Sequence, residues 1–305
     1  MLTRISLARM GLPFILTGLV LGCGSGEHRT FIQNKGSDSL VNVAQAWAEA
    51  YQEVDSNVVV AVSGGGSGTG IAALINGTVD IANTSRAMSP KEIDRAKKSG
   101  QDPRQHVVGY DALAVFVHKD NPVGPMTLEQ LAEIFGEDGV VTTWTDLGVD
   151  APGCKDQTMI LVSRQNNSGT YAYFSNAVLG RDRELRLGTL DLHGSKDVVE
   201  LVGNTPCAIG YSGVAYATDH VRTVCIAFEE GAPCVPPTVA SASDGRYPIT
   251  RPLFMYTNGT PQGPIKSYLN WVLGETGQCI LLNKGYAPVN EFGCAGSPSN
   301  QPWGN

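Results

Sequence analysis

The sequence predicts a two-lobed α/β protein. Three observations carry that expectation. Short β-branched runs alternate with amphipathic segments along the chain. The 305 residues, 42% of them hydrophobic, are enough to bury two cores. At three places a strand gives way, across a Gly, Ser or Thr turn, to the start of a helix. With 36 glycines and only 17% charged residues, the chain suits a compact body with many tight turns and not a disordered one.

Taken in order, the first strong element is an amphipathic helix over 39–54, where Leu40, Val43, Ala44, Trp47, Ala50, Tyr51 and Val54 share one face. Trp47 and Tyr51 read as core packing. A strand follows over Val58–Val62. The glycine-rich run 63–70 leads into a short helix over 71–76, and Asp80–Ala82 reads as the next strand. Ser89-Pro90-Lys91-Glu92 opens a helix with a capping box and Pro at its first position, and Thr127-Leu128-Glu129-Gln130 repeats the signal. Between them Ala112–His118 is a strongly apolar strand. Met159–Val162 is a strand, 163–167 a loop, and Ser168-Gly169-Thr170 starts a helix to about Leu179. Residues 197–202 read as helix and 208–211 as strand, with Tyr211 assigned to core packing. The Pro, Gly and Ser content of 229–248 predicts a loop returning between lobes. A strand at 253–257 and helices at 266–273 and 276–282 complete the body, and the tail after Gly296 reads as disordered.

The beginning of the chain reads as an export signal. Arg4 and Arg9 precede an apolar stretch from Met10 to Leu21 that is too short for a comfortable membrane span. Val20-Leu21-Gly22-Cys23 resembles the lipobox of bacterial lipoproteins, with Leu21 a less typical residue at its place. It implies a signal peptide at 1–22, lipidation at Cys23 and a tether over 23–30. The formal charge of −7 argues against a nucleic-acid surface. Beyond Cys23 there remain Cys154, Cys207, Cys225, Cys234, Cys279 and Cys294. An even number in an exported chain favours disulfides, and six cysteines allow fifteen pairings among which sequence does not choose. Nearest-neighbour pairing, 154 with 207, 225 with 234 and 279 with 294, is the expectation. No C-x-x-C or H-x-x-x-H spacing points to a metal, and His106, His118 and His193 lack partners at useful spacing.

The three junctions are Gly36-Ser37-Asp38-Ser39, Gly66-Ser67-Gly68-Thr69-Gly70 and Arg164-Gln165-Asn166-Asn167-Ser168-Gly169-Thr170. Helix starts present unpaired N–H groups, hydroxyls add donors, and glycine lets an anion reach the backbone. An arginine ahead of the third supplies a rigid two-pronged countercharge. Each junction alone is an ordinary cap or turn, and the glycine run lacks the ending of a P-loop. Their joint occurrence points to a tetrahedral oxyanion.

The stretches GSDSLVNVAQAWAEAYQ, SGGGSGTGIAALINGTVDIANTSR, SRQNNSGTYAYF, AIGYSGVAYA and ETGQCILLNKGYAPV, spread over most of residues 36–290, resemble the substrate-binding proteins of bacterial high-affinity phosphate ABC transporters. The resemblance implies a type II periplasmic binding fold, with lobe I from 31–110 plus 247–305, lobe II from 111–246, and phosphate held between them. It implies phosphate-binding roles for Ser39, the backbone of Leu40, Ser67, Arg164, Ser168, Gly169 and Thr170. Many members of that family carry an aspartate after the Val-Asp-Ile strand that accepts a proton from the ligand. Here the position is Ser85, followed by Arg86, and Asp38 is the nearest carboxylate that could take the role, with Arg86 a possible partner for it or an added charge. The implied partners are inorganic phosphate, the permease subunits of an ABC importer and a membrane reached by the lipid anchor, with the protein a monomer and without a cofactor. A phosphate-sensing or adhesive surface lipoprotein is the alternative. A phosphate-ester hydrolase would need a nucleophile with its base, or a metal cluster, and the sequence offers no recognisable set.

Overall fold

The computed structural model describes residues 29–294. The signal at 1–22, Cys23 and the tail after Gly296 lie outside that range. Strand β1 (Thr30–Gly36) turns through a 3-10 segment at Asp38–Leu40 into α1 (Val41–Gln52), followed by β2 (Val58–Ser63), α2 (Ser67–Ile75), β3 (Ile81–Thr84) and α3 (Pro90–Lys98). β1 lies between β2 and β3, parallel to both. Because β1 begins at Thr30, whose N–H donates to Asn57 O, the expected tether gives way to the fold one residue early. The long strand β4 (Pro103–His118) comes next.

β5 (Met126–Thr127) and α4 (Leu128–Phe135) open the second half, with the capping box at Thr127 and Gln130 in place. β6 (Ile160–Arg164) leads to α5 (Gly169–Phe174), which continues as a π-turn over Ser175–Leu179. β7 (Leu190–Leu192), α6 (Ser195–Gly203), β8 (Ala208–Gly213), β9 (Val221–Thr223) and β10 (Ile226–Ala227) follow. The segment 229–248 differs from the simple loop expected: Thr238 caps a short helix, α7 (Val239–Ser243), and Ala242 and Tyr247 are buried with the second core. β11 (Thr250–Asn258), α8 (Gly263–Leu273) and α9 (Glu275–Asn283) return the chain to the first core.

The main sheet runs β2-β1-β3-β11-β4-β8-β6-β7, with β9 also on β4. β4 joins its two halves. Its residues Pro103–Ala112 pair with β11, and Leu113–Val117 continue onto β8. One core gathers Leu40, Trp47, Tyr51 and Tyr268 around β1 and α1, and another gathers Phe116, Phe135, Phe174 and Tyr211 around β6 and β8. Trp47 and Tyr211 are core residues as expected. The Trp47 indole N–H donates to Gly277 O at 2.7 Å, while Tyr211 stacks on Phe174 with centroids 3.7 Å apart. Among the described residues no helix is long and apolar enough to cross a membrane.

The disulfides join Cys154 to Cys207, Cys225 to Cys234, and Cys279 to Cys294, the nearest-neighbour pairing. The first closes a loop of sequence separation 53, for which restriction of the unfolded chain is worth about 4 kcal/mol.

Helix α2 starts at Ser67, inside the glycine-rich run and four residues before the sequence suggests, because glycine there permits close packing on β1. A Cβ on Gly70 would stand 2.5 Å from Lys35 O and 2.8 Å from Gly36 Cα. Gly70→Ala is therefore expected to lower stability by about 1–3 kcal/mol through overpacking, read from the urea midpoint. An unchanged midpoint would contradict the close helix–strand contact.

Candidate anion-binding site

The C-terminal ends of β1, β3 and β6 and the first turns that follow them meet at one place, the location where open α/β sheets hold their ligands. Arg164, the last residue of β6, is 1% exposed there. Its Nη1 donates to Ser195 Oγ at 2.9 Å and reaches Thr170 Oγ1 at 3.5 Å. Nη2 donates to His193 O at 2.5 Å and to Asp38 Oδ2 at 3.1 Å, and Nε to Leu192 O at 3.3 Å. Burial pulls the Arg164 pKa down, and Asp38 opposes that pull. Asp38 stands on the other half of the fold, where its Oδ1 accepts the Gly65 N–H at 2.9 Å.

A second arginine enters from β11. Arg251 lies directly across from Asp111 of β4 in the strand register, and both side chains are fully buried. Nε and Nη2 donate to Asp111 Oδ2 at 3.0 and 2.7 Å. The other edge of the guanidinium faces the hydroxyls: Nη1 donates to Thr170 Oγ1 at 2.9 Å and Nη2 to Ser39 Oγ at 3.0 Å. Ser39 Oγ is 3.1 Å from Thr170 Oγ1 and 3.5 Å from Ser195 Oγ. Burial pushes the Asp111 carboxyl upward in pKa, against the pull of Arg251.

Three more hydroxyls lie on the side of β3. Ser85 N–H donates to Ser67 Oγ at 3.0 Å, Ser37 O–H donates to Ser85 Oγ at 2.9 Å, and the Ser67 and Ser85 oxygens are 3.3 Å apart. Gly169, at the start of α5, packs so tightly on the Ser67 and Ser85 hydroxyls that a Cβ would overlap both. Asn167 fastens the two sides: its carbonyl accepts Gly68 N–H at 2.9 Å and its amide donates to Gly65 O at 3.1 Å.

The structure thus brings Asp38, Ser39, Ser67, Ser85, Arg164, Gly169 and Thr170 together. Two further expected residues also serve their own turns. Ser168 caps α5, accepting the N–H groups of Thr170 and Tyr171, and the Leu40 N–H donates to Ser37 O inside the 3-10 turn. Arg86 stands outside the cluster and is neither an added charge on the site nor a partner of Asp38. Its guanidinium forms a two-pronged pair with Glu92 at 2.7 and 2.8 Å, an acid fixed nearby by the capping box of α3. Asp38 accepts the Gly65 N–H on Oδ1 and the Arg164 guanidinium on Oδ2, so it braces Arg164. Sequence reasoning missed Arg251, Asp111, Ser195 and Ser37. Signals existed: a lone charge in the run 107–117 for Asp111 and in the strand 250–258 for Arg251, a fourth strand–Gly-Ser–helix junction at Gly194-Ser195, and the place of Ser37 within the first junction.

Among the described residues the one group of possible ligands close enough for a metal is Cys154, Asp156 and Cys207, and its cysteines are joined as a disulfide, which removes the thiolates.

The geometry defines a cleft-type binding protein, and comparison with known proteins agrees. Residues 24–276 match the PBP superfamily domain. The phosphate-binding protein PstS of Pseudomonas aeruginosa is 36% identical over 269 residues, covering 85% of this chain and 83% of that protein. The PstS of Bacillus subtilis is 30% identical, covering 84% and 80%. A putative phosphate ABC transporter substrate-binding protein with bound phosphate from Clostridium perfringens superposes with a TM-score of 0.75 at 28% identity, over 86% of this chain and all of that one. An ABC-type phosphate transport receptor from Vibrio cholerae does so at 0.66 and 25%, over 84% and 99%. The chain belongs to the PBP superfamily and, within it, to the family of the phosphate-binding proteins.

Because Arg86 is spent on Glu92, Arg86→Ala is expected to leave phosphate affinity in calorimetry within about twofold of wild type, as for most surface changes. A loss of tenfold or more would return Arg86 to the site.

Proposed function

We propose that this protein captures inorganic phosphate outside the cytoplasmic membrane and delivers it to the permease subunits of an ABC importer, without chemistry on the ligand. The observation that carries this reading is the convergence of two buried arginines and hydroxyls from both halves of the fold on one spot. Guanidinium forks match the oxygens of a phosphate, and serine and threonine hydroxyls complete a tetrahedral shell. Arg164, Arg251, Ser39, Thr170, Ser195, Ser67, Ser85 and Gly169 form the binding shell, while Asp38 and Asp111 hold the arginines.

In this reading lobe I comprises 31–110 plus 247–305 and lobe II 111–246, with β4 and β11 as the crossing strands. The likeness to named phosphate-binding relatives supports it, as does the placement of donors on both lobes. The protein is exported, anchored by a lipid on Cys23 after removal of 1–22, and works as a monomer.

Arg164→Ala removes a charged donor and leaves Asp38 without its arginine. Charged hydrogen bonds contribute about 1.5–3 kcal/mol each, so phosphate affinity is expected to fall by about a hundredfold or more in calorimetry while circular dichroism stays unchanged. Wild-type affinity in that variant would overturn the site. Contacts that form only when both lobes meet also favour the closed state, so saturating phosphate is expected to reduce the radius of gyration in small-angle scattering. An identical radius with and without ligand would remove the hinge from the proposal.

A further inference from the structure

Resting on the reading of the cleft as a phosphate site, we infer that Tyr216 and Tyr286 are its positioning residues: their phenols hold the backbone of the Asp38–Ser39 turn where the Ser39 hydroxyl and the Asp38 carboxylate meet the two buried arginines. Two of the five stretches that carry the family resemblance, 208–217 and 275–289, contain none of the residues expected to bind phosphate. Each delivers one of these tyrosines.

Both phenols act through main-chain carbonyls. Tyr216 O–H donates to Asp38 O at 2.6 Å, with Ser39 O at 3.4 Å, and Tyr286 O–H donates to Ser39 O. A phenol has one proton to give, so each carbonyl has its own donor. Burial raises the pKa of both phenols, which keeps that proton in place around neutral pH. The tyrosines are mounted on β4, one on each side of Asp111. Tyr216 ends the 3-10 turn Val214–Tyr216 that follows β8, whose Gly213 pairs with Leu113. Ala287, next to Tyr286, exchanges two backbone hydrogen bonds with Tyr110, at 2.8 and 2.9 Å. Asp111 of the same strand holds Arg251 at 2.7 and 3.0 Å. β4 is therefore the common frame from which both Arg251 and the turn are located. The groups on the turn depend on where its backbone lies. Ser39 Oγ stands 3.0 Å from Arg251 Nη2 and 3.1 Å from Thr170 Oγ1, and Asp38 Oδ2 stands 3.1 Å from Arg164 Nη2. No side-chain cap fixes the start of the 3-10 segment Asp38–Leu40, so the phenols supply an anchor that the local sequence does not. Binding constellations keep their geometry to within about 0.5 Å only when such supports lock them.

Tyr216→Phe and Tyr286→Phe keep the rings and remove the donors. Each is expected to weaken inorganic phosphate about tenfold in calorimetry while circular dichroism stays unchanged. Tyr268→Phe is the control. Its hydroxyl, buried in the core around α1, has no hydrogen-bond partner among the described residues, and phosphate affinity in that variant is expected to stay within about twofold of wild type. A double-mutant cycle separates positioning from a general loss of stability. In a Ser39→Ala background, which lacks the hydroxyl that Tyr286 places, adding Tyr286→Phe is expected to weaken phosphate by no more than about twofold further. Equal losses with and without the Ser39 hydroxyl, wild-type affinity in both phenylalanine variants, or loss of the fold in both, overturn the inference and leave phosphate capture standing. Absence of phosphate binding by the unaltered protein would instead remove the proposed function on which it rests.

Discussion

Two guanidinium groups are buried where the halves of this protein meet, and most of the surrounding structure answers the cost of putting them there. A charge taken out of water is penalised by several kcal/mol unless it is paired and its hydrogens are all received. Arg164 meets that demand with Asp38, two backbone carbonyls and Ser195. Arg251 meets it with Asp111, Ser39 and Thr170. Asp38 belongs to the turn after β1 and Arg164 to the end of β6, so their ion pair ties together parts of the chain 126 residues apart. The countercharge that makes burial tolerable is therefore also a bond between the halves.

The turn that carries Asp38 and Ser39 is itself held from behind. Tyr216 O–H donates to Asp38 O at 2.6 Å and Tyr286 O–H donates to Ser39 O. Burial raises both phenols above their ordinary pKa, so they remain protonated donors at neutral pH. A hydroxyl pinned through its own backbone presents its oxygen at a fixed place, which is the kind of preorganisation that lowers the cost of binding. Arg251 gains the same rigidity from its cross-strand position opposite Asp111, on the two strands that also link the halves. The buried charge of Arg251 and the two strands that link the halves are thus one assembly.

Contacts across the cleft do not all run through ionised groups. Asn167 clasps the start of α2 through backbone and amide, and Gly169 lies flat on the Ser67 and Ser85 hydroxyls. These contacts join the two sides without using an ionised group. Glycine at 66 and 68 lets the backbone of Asn167 approach α2, and glycine at 169 leaves room for the Ser67 and Ser85 hydroxyls.

The sequence by itself determined what depends on neighbours in the chain. The capping boxes at Ser89 and Thr127, the helical face of Trp47 and Tyr51, the apolar run of β4 and the three strand–turn–helix junctions were all legible, because caps, periodicity and turns act over a few residues. Short separations also made the disulfide pairing a natural expectation. β1 was legible only as the strand implied before Gly36, since Gln33, Asn34 and Lys35 hide a buried position, Asn34, among polar residues. What only the tertiary structure decided is which charge meets which. From the sequence Arg86 was open either to Asp38 or to the site as an added charge, yet the capping box of α3 delivers Glu92 to Arg86 and leaves Asp38 to Arg164. Arg251 and Asp111 lie 140 residues apart and became the centre of the site only through the register of β11 on β4. Local propensity fixes where a side chain starts along the chain. Strand register and lobe packing fix what it faces, and an ion pair in a buried cleft exists only when they do.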